Sequence, residues 1–480
     1  MTYILFLFLS QNIYQQIIMK IRNRISLFVA LLLIIAFVVF INFYAPIIAG
    51  FGAKDLCSCV YVGNRDVASV LENELGNYPL AIGTFELNRA DKSATGSVFG
   101  FAKVKAFYRE GLGCTLIRQR NEEEIRKELP KLNIVKPVLN DTAYWPLGTK
   151  ATYYVPAHID NRKLQSVINQ AFEENDPRHP KKTRSVIIVY KDRIIAEKYA
   201  PGFDAFTPHV GWSMSKSITN TMMGVLVRQR GFDIYKPAPI PEWADPKDPR
   251  HQITTDQLLR MSSGLEWEED YSKPSSATVM LYQETDMGKF ASGQKAEFRP
   301  DEAWNYSSGT TNILSRILKL QLGVETYNQW TFKEIFYKVG VTTALFEADP
   351  SNAFIGSSYI WASPRDWARL GLLYLNDGVW NGERILPEGW VKYSATPTPK
   401  STMLQYGAHF WLNVGDKDNP KDRRLPDCPT DLYMMAGYES QRVYIIPSYD
   451  MVIVRLGQTK KGDFDLNKFV SGVLGAFGEE

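Results

Sequence analysis

The sequence predicts an α+β protein whose antiparallel sheet is assembled from both ends of one domain. Two β-hairpin patterns, at 185–199 and 441–456, enclose a run of amphipathic helix patterns. The 480 residues are 45% hydrophobic and 22% charged, which is enough apolar material for a large folded core. This composition excludes a disordered, collagen-like or low-complexity chain.

The N-terminus predicts a membrane-spanning helix. An uncharged stretch, 25–53, follows Lys20, Arg22 and Arg24, and a bilayer core needs about 20 apolar residues in a helix. These three cations account for the whole net charge of +3, from 55 Lys and Arg against 52 Asp and Glu. Basic residues remain on the cytoplasmic side, so the rest of the chain is expected on the exported side of the membrane.

The competing interpretation is a cleaved signal peptide, which needs small residues one and three positions before the cut. Cuts after Ala45 or Ala49 would place Phe43 or Ile47 at the third position. An uncleaved anchor is therefore favoured.

Because the remainder of the chain is neutral and lacks a basic run, nucleic acid is not expected as a partner.

Four cysteines lie on the predicted exported side, where disulfides persist. They are Cys57, Cys59, Cys114 and Cys428. Three pairings are possible, and Cys57 with Cys59 is the least favourable because one intervening residue places their side chains on opposite faces of an extended chain. One or two disulfides are expected, with the pairing open. No histidine spacing suits a metal, so neither a metal nor a cofactor is predicted.

Four segments are predicted along the chain. They are a short cytoplasmic N-terminus (1–24), a transmembrane signal anchor (25–50), a membrane-proximal region with three cysteines (51–150) and a C-terminal globular domain (151–480). Helices are predicted at 213–228, 255–261, 311–322 and 364–375, with a further helix closing the chain. The last of the four begins with Ser363 as a cap and Pro364 at its first position. Five prolines make 235–251 an irregular excursion.

Ser213 and Lys216 form an S-x-x-K spacing, which places a hydroxyl and an amine on one face of a helical turn. A serine at a helix start also lies beside free backbone N–H groups that can stabilise an oxyanion. A second copy of the spacing, at Ser292 and Lys295, has no apolar periodicity after it. We expect Ser292 in a surface loop.

Two later segments supply further polar groups. Tyr306 and Ser308 lie two residues apart in a turn before a predicted helix, and the segment from Gly437 to Gln441 enters the last hairpin. At such an entry, backbone N–H groups of an edge strand can face a substrate.

This ordered set resembles the serine β-lactamase and penicillin-binding-protein superfamily, most closely the class C β-lactamase-related branch of esterases and 6-aminohexanoate-dimer hydrolases. The resemblance covers roughly residues 180–480. It implies a β-lactamase/transpeptidase-like fold, with an antiparallel sheet flanked by helices and an α-helical subdomain.

The resemblance also implies roles. Ser213 would be the acyl-accepting nucleophile, Lys216 its base or proton relay and Tyr306 the second acid/base. Ser308, Gly437 and Gln441 would bind the substrate, with the N–H groups of Ser213 and Gln441 as the oxyanion hole.

The sequence departs from the family pattern at two places. Ser308 replaces the usual Asn, and Tyr438-Glu439-Ser440 replaces Lys-Thr-Gly or His-x-Gly. Glu439 would repel a substrate carboxylate, and strand alternation predicts Arg442 on the face opposite Gln441. Cleavage of an ester or amide bond in a small molecule or peptide, outside the cytoplasm, is therefore expected rather than efficient β-lactam hydrolysis.

Three other interpretations are open. One is a penicillin-binding D,D-peptidase acting on cell-wall peptide, and another is an inactive homologue that binds partners. The third, an α/β-hydrolase elbow at Ser213, needs a downstream histidine, and only His251 and His409 follow. His409 lies among aromatic residues and is predicted to be a packing residue. The oligomeric state is left open by the sequence.

Overall fold

A computed structural model describes residues 2–151, 153–415, 419 and 421–478. The α-helices are α1 (Thr2–Val39), α2 (Ala45–Tyr61), α3 (Val67–Asn73), α4 (Glu122–Lys127), α5 (Asn161–Phe172), α6 (Met214–Arg230), α7 (Thr255–Leu259), α8 (Ser276–Gln283), α9 (Met287–Ser292), α10 (Ser308–Leu322), α11 (Val324–Thr331), α12 (Pro364–Leu375), α13 (Trp390–Ser394) and α14 (Leu466–Leu474). Short π-helical segments cover Phe40–Tyr44 and Phe332–Phe336.

The strands are β1 (Gly83–Asn88), β2 (Ser93–Val98), β3 (Phe101–Arg109), β4 (Gly113–Leu116), β5 (Asn140–Tyr144), β6 (Gly148–Lys150), β7 (Thr183–Tyr190), β8 (Arg193–Tyr199), β9 (His209–Val210), β10 (Leu345–Phe346), β11 (Ile360–Ala362), β12 (Val379–Trp380), β13 (Glu383–Arg384), β14 (Trp411–Leu412), β15 (Tyr433–Ala436), β16 (Arg442–Ile446) and β17 (Met451–Gly457). The main sheet has the order β14-β15-β16-β17-β7-β8 and is antiparallel throughout.

Strand β17, from the end of the chain, pairs with β7, so the sheet is assembled from both ends as predicted. The side chains of β7 alternate between two hydrophobic cores, one on each face of the sheet. Ile187 and Val189 contribute to the large core that contains α6, α10 and α12, whereas Val186 and Ile188 face α5 and α14. The predicted α+β fold with flanking helices is confirmed, and the helices between β8 and β14 place the candidate site beside the sheet.

Two local predictions need correction. Helix α10 begins at Ser308 rather than at residue 311, because the Ser307 side chain caps it by accepting the N–H of Thr310 at 2.9 Å. Ser292 is not in a surface loop: it is fully buried at the end of α9.

The N-terminal helix is continuous from α1 through the π-helical segment into α2. Within the described residues, Tyr14–Tyr61 is a helix long and apolar enough to cross a membrane. Its first part is exposed, while α2 is largely buried among β1–β4 and the large core beside the main sheet. Residues 51–150 therefore share a core with the sheet domain rather than forming a separate one.

A disulfide and a buried ion pair attach α2 to its surroundings. Cys57 is bonded to Cys114 on β4, while Cys59 and Cys428 are buried free thiols. Lys54 forms an ion pair with Glu347, which also accepts the Ser58 hydroxyl at 3.0 Å. The helix that carries the apolar span is thus fixed directly to the domain that carries Ser213.

Candidate active site

Ser213 lies at the N-terminal end of α6 and remains half-exposed. Its hydroxyl does not cap the helix but accepts a hydrogen bond from Lys216 Nζ at 3.1 Å. The preceding Trp212 has φ 47°, a conformation that a bulky residue rarely adopts. Backbone of this kind is common at functional sites, and here it presents the serine at the tip of a turn.

The Lys216 ammonium group is buried and makes three hydrogen bonds. Besides Ser213, it donates to the hydroxyl of Ser308 at 3.0 Å and to the carbonyl oxygen of Ser357 at 3.1 Å. Burial lowers the pKa of Lys216 to about 8, and the negative charge of Glu269 opposes this shift. When the amine is neutral, two N–H bonds to Ser308 and Ser357 leave its lone pair directed at Ser213.

Tyr306 also lies in the candidate site. Lys216 Nζ is 4.9 Å from the centre of its ring, and the Ser213 side chain acts to lower the pKa of its hydroxyl. The ring packs against Tyr406 and Trp411, with centroid separations of 5.7 and 5.3 Å. Burial, and then the charge of Glu269, raises the pKa of Tyr306 above its ordinary value. The phenol is therefore protonated in the resting site.

Glu269 is a site residue that the sequence did not reveal. Its carboxylate accepts the backbone N–H of Ser308 at 2.8 Å, Trp267 Nε1 at 2.6 Å, the Tyr271 hydroxyl at 2.9 Å and the Ser308 hydroxyl. It also lies at the N-terminus of α10, where a negative charge is favoured. In sequence Glu269 stands between two other acidic residues, so no local pattern distinguishes it from a surface carboxylate.

The segment from Gly437 to Gln441 approaches the turn that carries Ser213. A Cβ on Gly437 would lie 2.1 Å from the carbonyl oxygen of Gly211, so only glycine permits this contact between the two backbones. Gln441 is buried, and its side chain bonds to both backbone groups of Gly457. Its own N–H donates to Tyr438 O at 3.3 Å, at the long end of hydrogen-bond distances.

Glu439 and Arg442 also lie in this region. The Glu439 side chain lines the cavity that contains Ser213 and accepts a 3.4 Å hydrogen bond from Trp212 Nε1. Burial raises the pKa of Glu439 to about 7. The Arg442 guanidinium donates to the carbonyl oxygens of Gly437 and Gln441 at 2.6 and 2.7 Å, so it braces the strand entry.

Ser213 opens into a cavity of about 570 Å³. Its lining includes Trp212, Tyr438 and Glu439 together with residues of the N-terminal helix, among them Ile47 and Phe51. This volume is within the range of small-molecule sites.

The histidines after Ser213 are engaged elsewhere. His409 is buried between the hydroxyl of Thr311 and the carbonyl oxygen of Leu259, at 2.8 and 2.6 Å, and burial lowers its pKa to about 3. His251 bonds to the carbonyl oxygen of Trp243. The predicted packing role of His409 agrees with these contacts, and Ser213 has Lys216 as its partner instead of a histidine. Among the residues that the structure describes, no cluster of His, Cys, Asp and Glu suits a metal ion.

Several known proteins are similar to this chain. The chain is 22% identical over 298 residues to a 6-aminohexanoate-dimer hydrolase of Paenarthrobacter ureafaciens, covering 57% of this chain and 72% of that protein. A putative 6-aminohexanoate-dimer hydrolase from Bacillus anthracis has the same fold, with a TM-score of 0.54, 19% identity and coverage of 73% of this chain and 90% of that one.

A family VIII carboxylesterase is similar over 68% of this chain and 99% of its own, with a TM-score of 0.51 and 14% identity. The family model described as Beta-lactamase matches residues 170–470, which is more than half of the sequence and contains Ser213, Lys216, Glu269, Tyr306 and Ser308. With Ser213, Lys216 and Tyr306 brought together on this fold, the chain belongs to the Beta-lactamase family.

Proposed function

We propose that this protein is a membrane-anchored, exported serine hydrolase that cleaves ester or amide bonds through an acyl-enzyme on Ser213. The observation that supports this most directly is the position of Lys216 Nζ, 3.1 Å from Ser213 Oγ and fixed by two further hydrogen bonds. A buried amine of lowered pKa at that distance is a general base in position.

In the acylation step Lys216 removes the proton of Ser213 as Oγ attacks the substrate carbonyl. Lys216 is the better base of the two candidates, because its pKa is lowered to about 8 whereas that of Tyr306 is raised. At neutral pH the free amine is much more accessible than the phenolate. Tyr306 therefore serves as the acid that delivers a proton to the leaving alcohol or amine. The proton that Lys216 took from Ser213 then passes to Tyr306, so the amine is free and the phenol is protonated again before deacylation.

Deacylation repeats the sequence with water as the nucleophile. Water attacks the acyl carbonyl, its proton passes to the base, and Ser213 regains its proton as the acid product leaves. The negative charge on the carbonyl oxygen would be stabilised by the Ser213 N–H at the start of α6 and by the strand entry at Gly437 to Gln441. For Gln441 N–H to contribute, the oxyanion has to replace its long contact with Tyr438 O.

Glu439 favours substrates without a carboxylate near the scissile bond. It belongs to the segment Tyr438-Glu439-Ser440, which replaces Lys-Thr-Gly or His-x-Gly of the family pattern, and it lines the cavity beside Trp212. Above pH 7 its charge would repel an anionic substrate, because its pKa is raised only to about 7. An uncharged ester or amide meets no such barrier.

The unbroken helix from α1 into α2 supports an uncleaved anchor, since the buried half of the helix belongs to the folded domain. The Cys57–Cys114 disulfide supports export, because such bonds persist outside the reducing cytosol.

The proposal is tested with the purified full-length protein in detergent, using a fluorophosphonate probe and p-nitrophenyl acetate. Ser213→Ala should abolish labelling and reduce turnover by at least about 10³-fold. Ser292→Ala, the serine of the second S-x-x-K spacing, is the matched control and should keep both. Folded wild-type protein that neither labels nor turns over would contradict the proposal, and strong labelling by a fluorescent penicillin would favour the D,D-peptidase instead.

A further inference from the structure

An apolar stripe follows one face of the N-terminal helix into the cavity that contains Ser213. Phe40, Tyr44, Ile47 and Phe51 all line this cavity, and their spacing of four, three and four residues keeps them on one helical face. The next cavity-lining residue on this face is Asp55. The apolar lining along the helix therefore ends one turn beyond Phe51.

The end of the stripe formed by Phe51 reaches the turn that carries Ser213. The Phe51 ring packs against Trp212, the residue before Ser213, with ring centroids 6.1 Å apart, and against Tyr282 at 5.3 Å. Eleven residues separate Phe40 from Phe51, which corresponds to about 16 Å along a helix. The stripe thus joins the nucleophile to the level of Phe40.

The other end of the stripe, formed by Phe40, lies next to the exposed apolar part of the N-terminal helix. The tip of the β2–β3 hairpin carries Phe99 and Phe101, which are 60% and 52% exposed. Their rings lie 6.3 Å from Phe40 and 6.1 Å from Phe37. Exposed apolar side chains beside the proposed membrane span enlarge the surface that can contact lipid. In the proposed anchored state, the bilayer surface would lie at the entrance of the stripe.

We propose that the substrate is an acyl ester or amide of a membrane amphiphile, whose acyl chain lies along the stripe while its carbonyl carbon is presented to Ser213. This deepens the proposed function and rests on it. The acyl chain of the substrate would leave the bilayer beside Phe40 and pass between the N-terminal helix and the hydrolase core. Ser213 Oγ forms the new ester bond, the alcohol or amine leaves with a proton, and water releases the fatty acid.

The test measures kcat/KM of the full-length protein in mixed micelles for p-nitrophenyl acetate and p-nitrophenyl decanoate. The decanoate should be preferred by at least about 10-fold in the wild type. Ile47→Trp, which fills the middle of the stripe, should lower the ratio of decanoate to acetate activity by at least about 10-fold. Val38→Trp is the control: it lies on the other side of the helix, is 51% exposed and does not line the cavity, so the ratio should not change.

Several results would overturn the inference: no preference for the decanoate in the wild type, an unchanged ratio in Ile47→Trp, or an equal fall in Val38→Trp. If Ile47→Trp fails to fold and loses fluorophosphonate labelling, Tyr44→Trp is the second test. Tyr44 lies at the entrance of the stripe and is 39% exposed, and this variant should also lower the ratio of decanoate to acetate activity. Wild-type protein that hydrolyses acetate without chain-length preference refutes only this inference. Protein that hydrolyses neither ester refutes the proposed function itself.

Discussion

Lys216 Nζ lies 3.0 Å from the hydroxyl oxygen of Ser308, which in turn donates its proton to Glu269. Ser308 occupies the position where the family usually has Asn. Its short side chain leaves room for the carboxylate to approach the lysine through a single hydroxyl. Burial therefore lowers the pKa of the Lys216 amine, while the nearby negative charge of Glu269 raises it.

This arrangement predicts the pH dependence of the reaction. The wild-type kcat/KM for p-nitrophenyl acetate should rise with pH through an inflection at about 8, as Lys216 loses its proton. Glu269→Gln removes a charge that favours the protonated amine, so the inflection should move to lower pH. Glu268→Gln, on a half-exposed neighbour that pairs with Lys273, should leave it unchanged. An inflection that stays in place or moves upward in Glu269→Gln would show that Glu269 does not act on the base.

Tyr306→Phe separates the acid role of the tyrosine from its packing role. The phenylalanine keeps the contacts with Tyr406 and Trp411 but cannot protonate a leaving group. Turnover of ethyl butyrate, whose alkoxide needs that proton, should fall by about 10²–10⁴-fold. Turnover of p-nitrophenyl butyrate should fall much less, because p-nitrophenolate leaves without protonation. Equal losses on the two esters would instead assign Tyr306 to the activation of Ser213.

Gly437→Ala tests the contact between the strand entry and the nucleophile turn. The added Cβ would lie 2.1 Å from Gly211 O, so one backbone has to shift away from the other. A displacement of about 1 Å at a reacting centre costs about 10²-fold in rate, and we expect such a loss of kcat/KM. Gly293→Ala, whose new Cβ approaches no atom closer than 3.3 Å, is the control. Wild-type activity in Gly437→Ala would show that the two segments do not depend on each other.

Glu347→Gln tests how firmly α2 of the N-terminal helix is joined to the core of the β-lactamase-family domain. Lys54 would stay buried without a charged partner, and breaking a buried pair in this way costs about 3–5 kcal/mol of unfolding free energy. Chemical denaturation in detergent should report this loss. Glu123→Gln breaks the exposed pair with Lys127 and should change stability by less than about 1 kcal/mol. Comparable stabilities of the two variants would contradict a structural role for the buried pair.

Local patterns in the sequence predicted the elements around the site well. The cap at Ser363 and the proline that follows it mark the start of α12, and the hairpins at both ends of the domain give the strands that pair in the sheet. The predicted start of α10 is three residues later than the observed one. The reason is that Ser307, which caps the helix, and Ser308, which begins it, also belong to the Tyr306-Ser307-Ser308 turn motif. Ser292 was misplaced, since a short buried helix without apolar periodicity resembles a loop in sequence.

The sequence alone determined the α+β class, the apolar N-terminal span and the pairing of Ser213 with Lys216, because helix, strand and membrane signals depend on neighbouring residues. The tertiary structure decided what lies far apart in sequence. It brought Glu269 to Lys216 through Ser308, joined Cys57 to Cys114 and placed Phe51 of the N-terminal helix against Trp212. These contacts depend on how α2, α6 and α10 pack around one core, which no local pattern encodes.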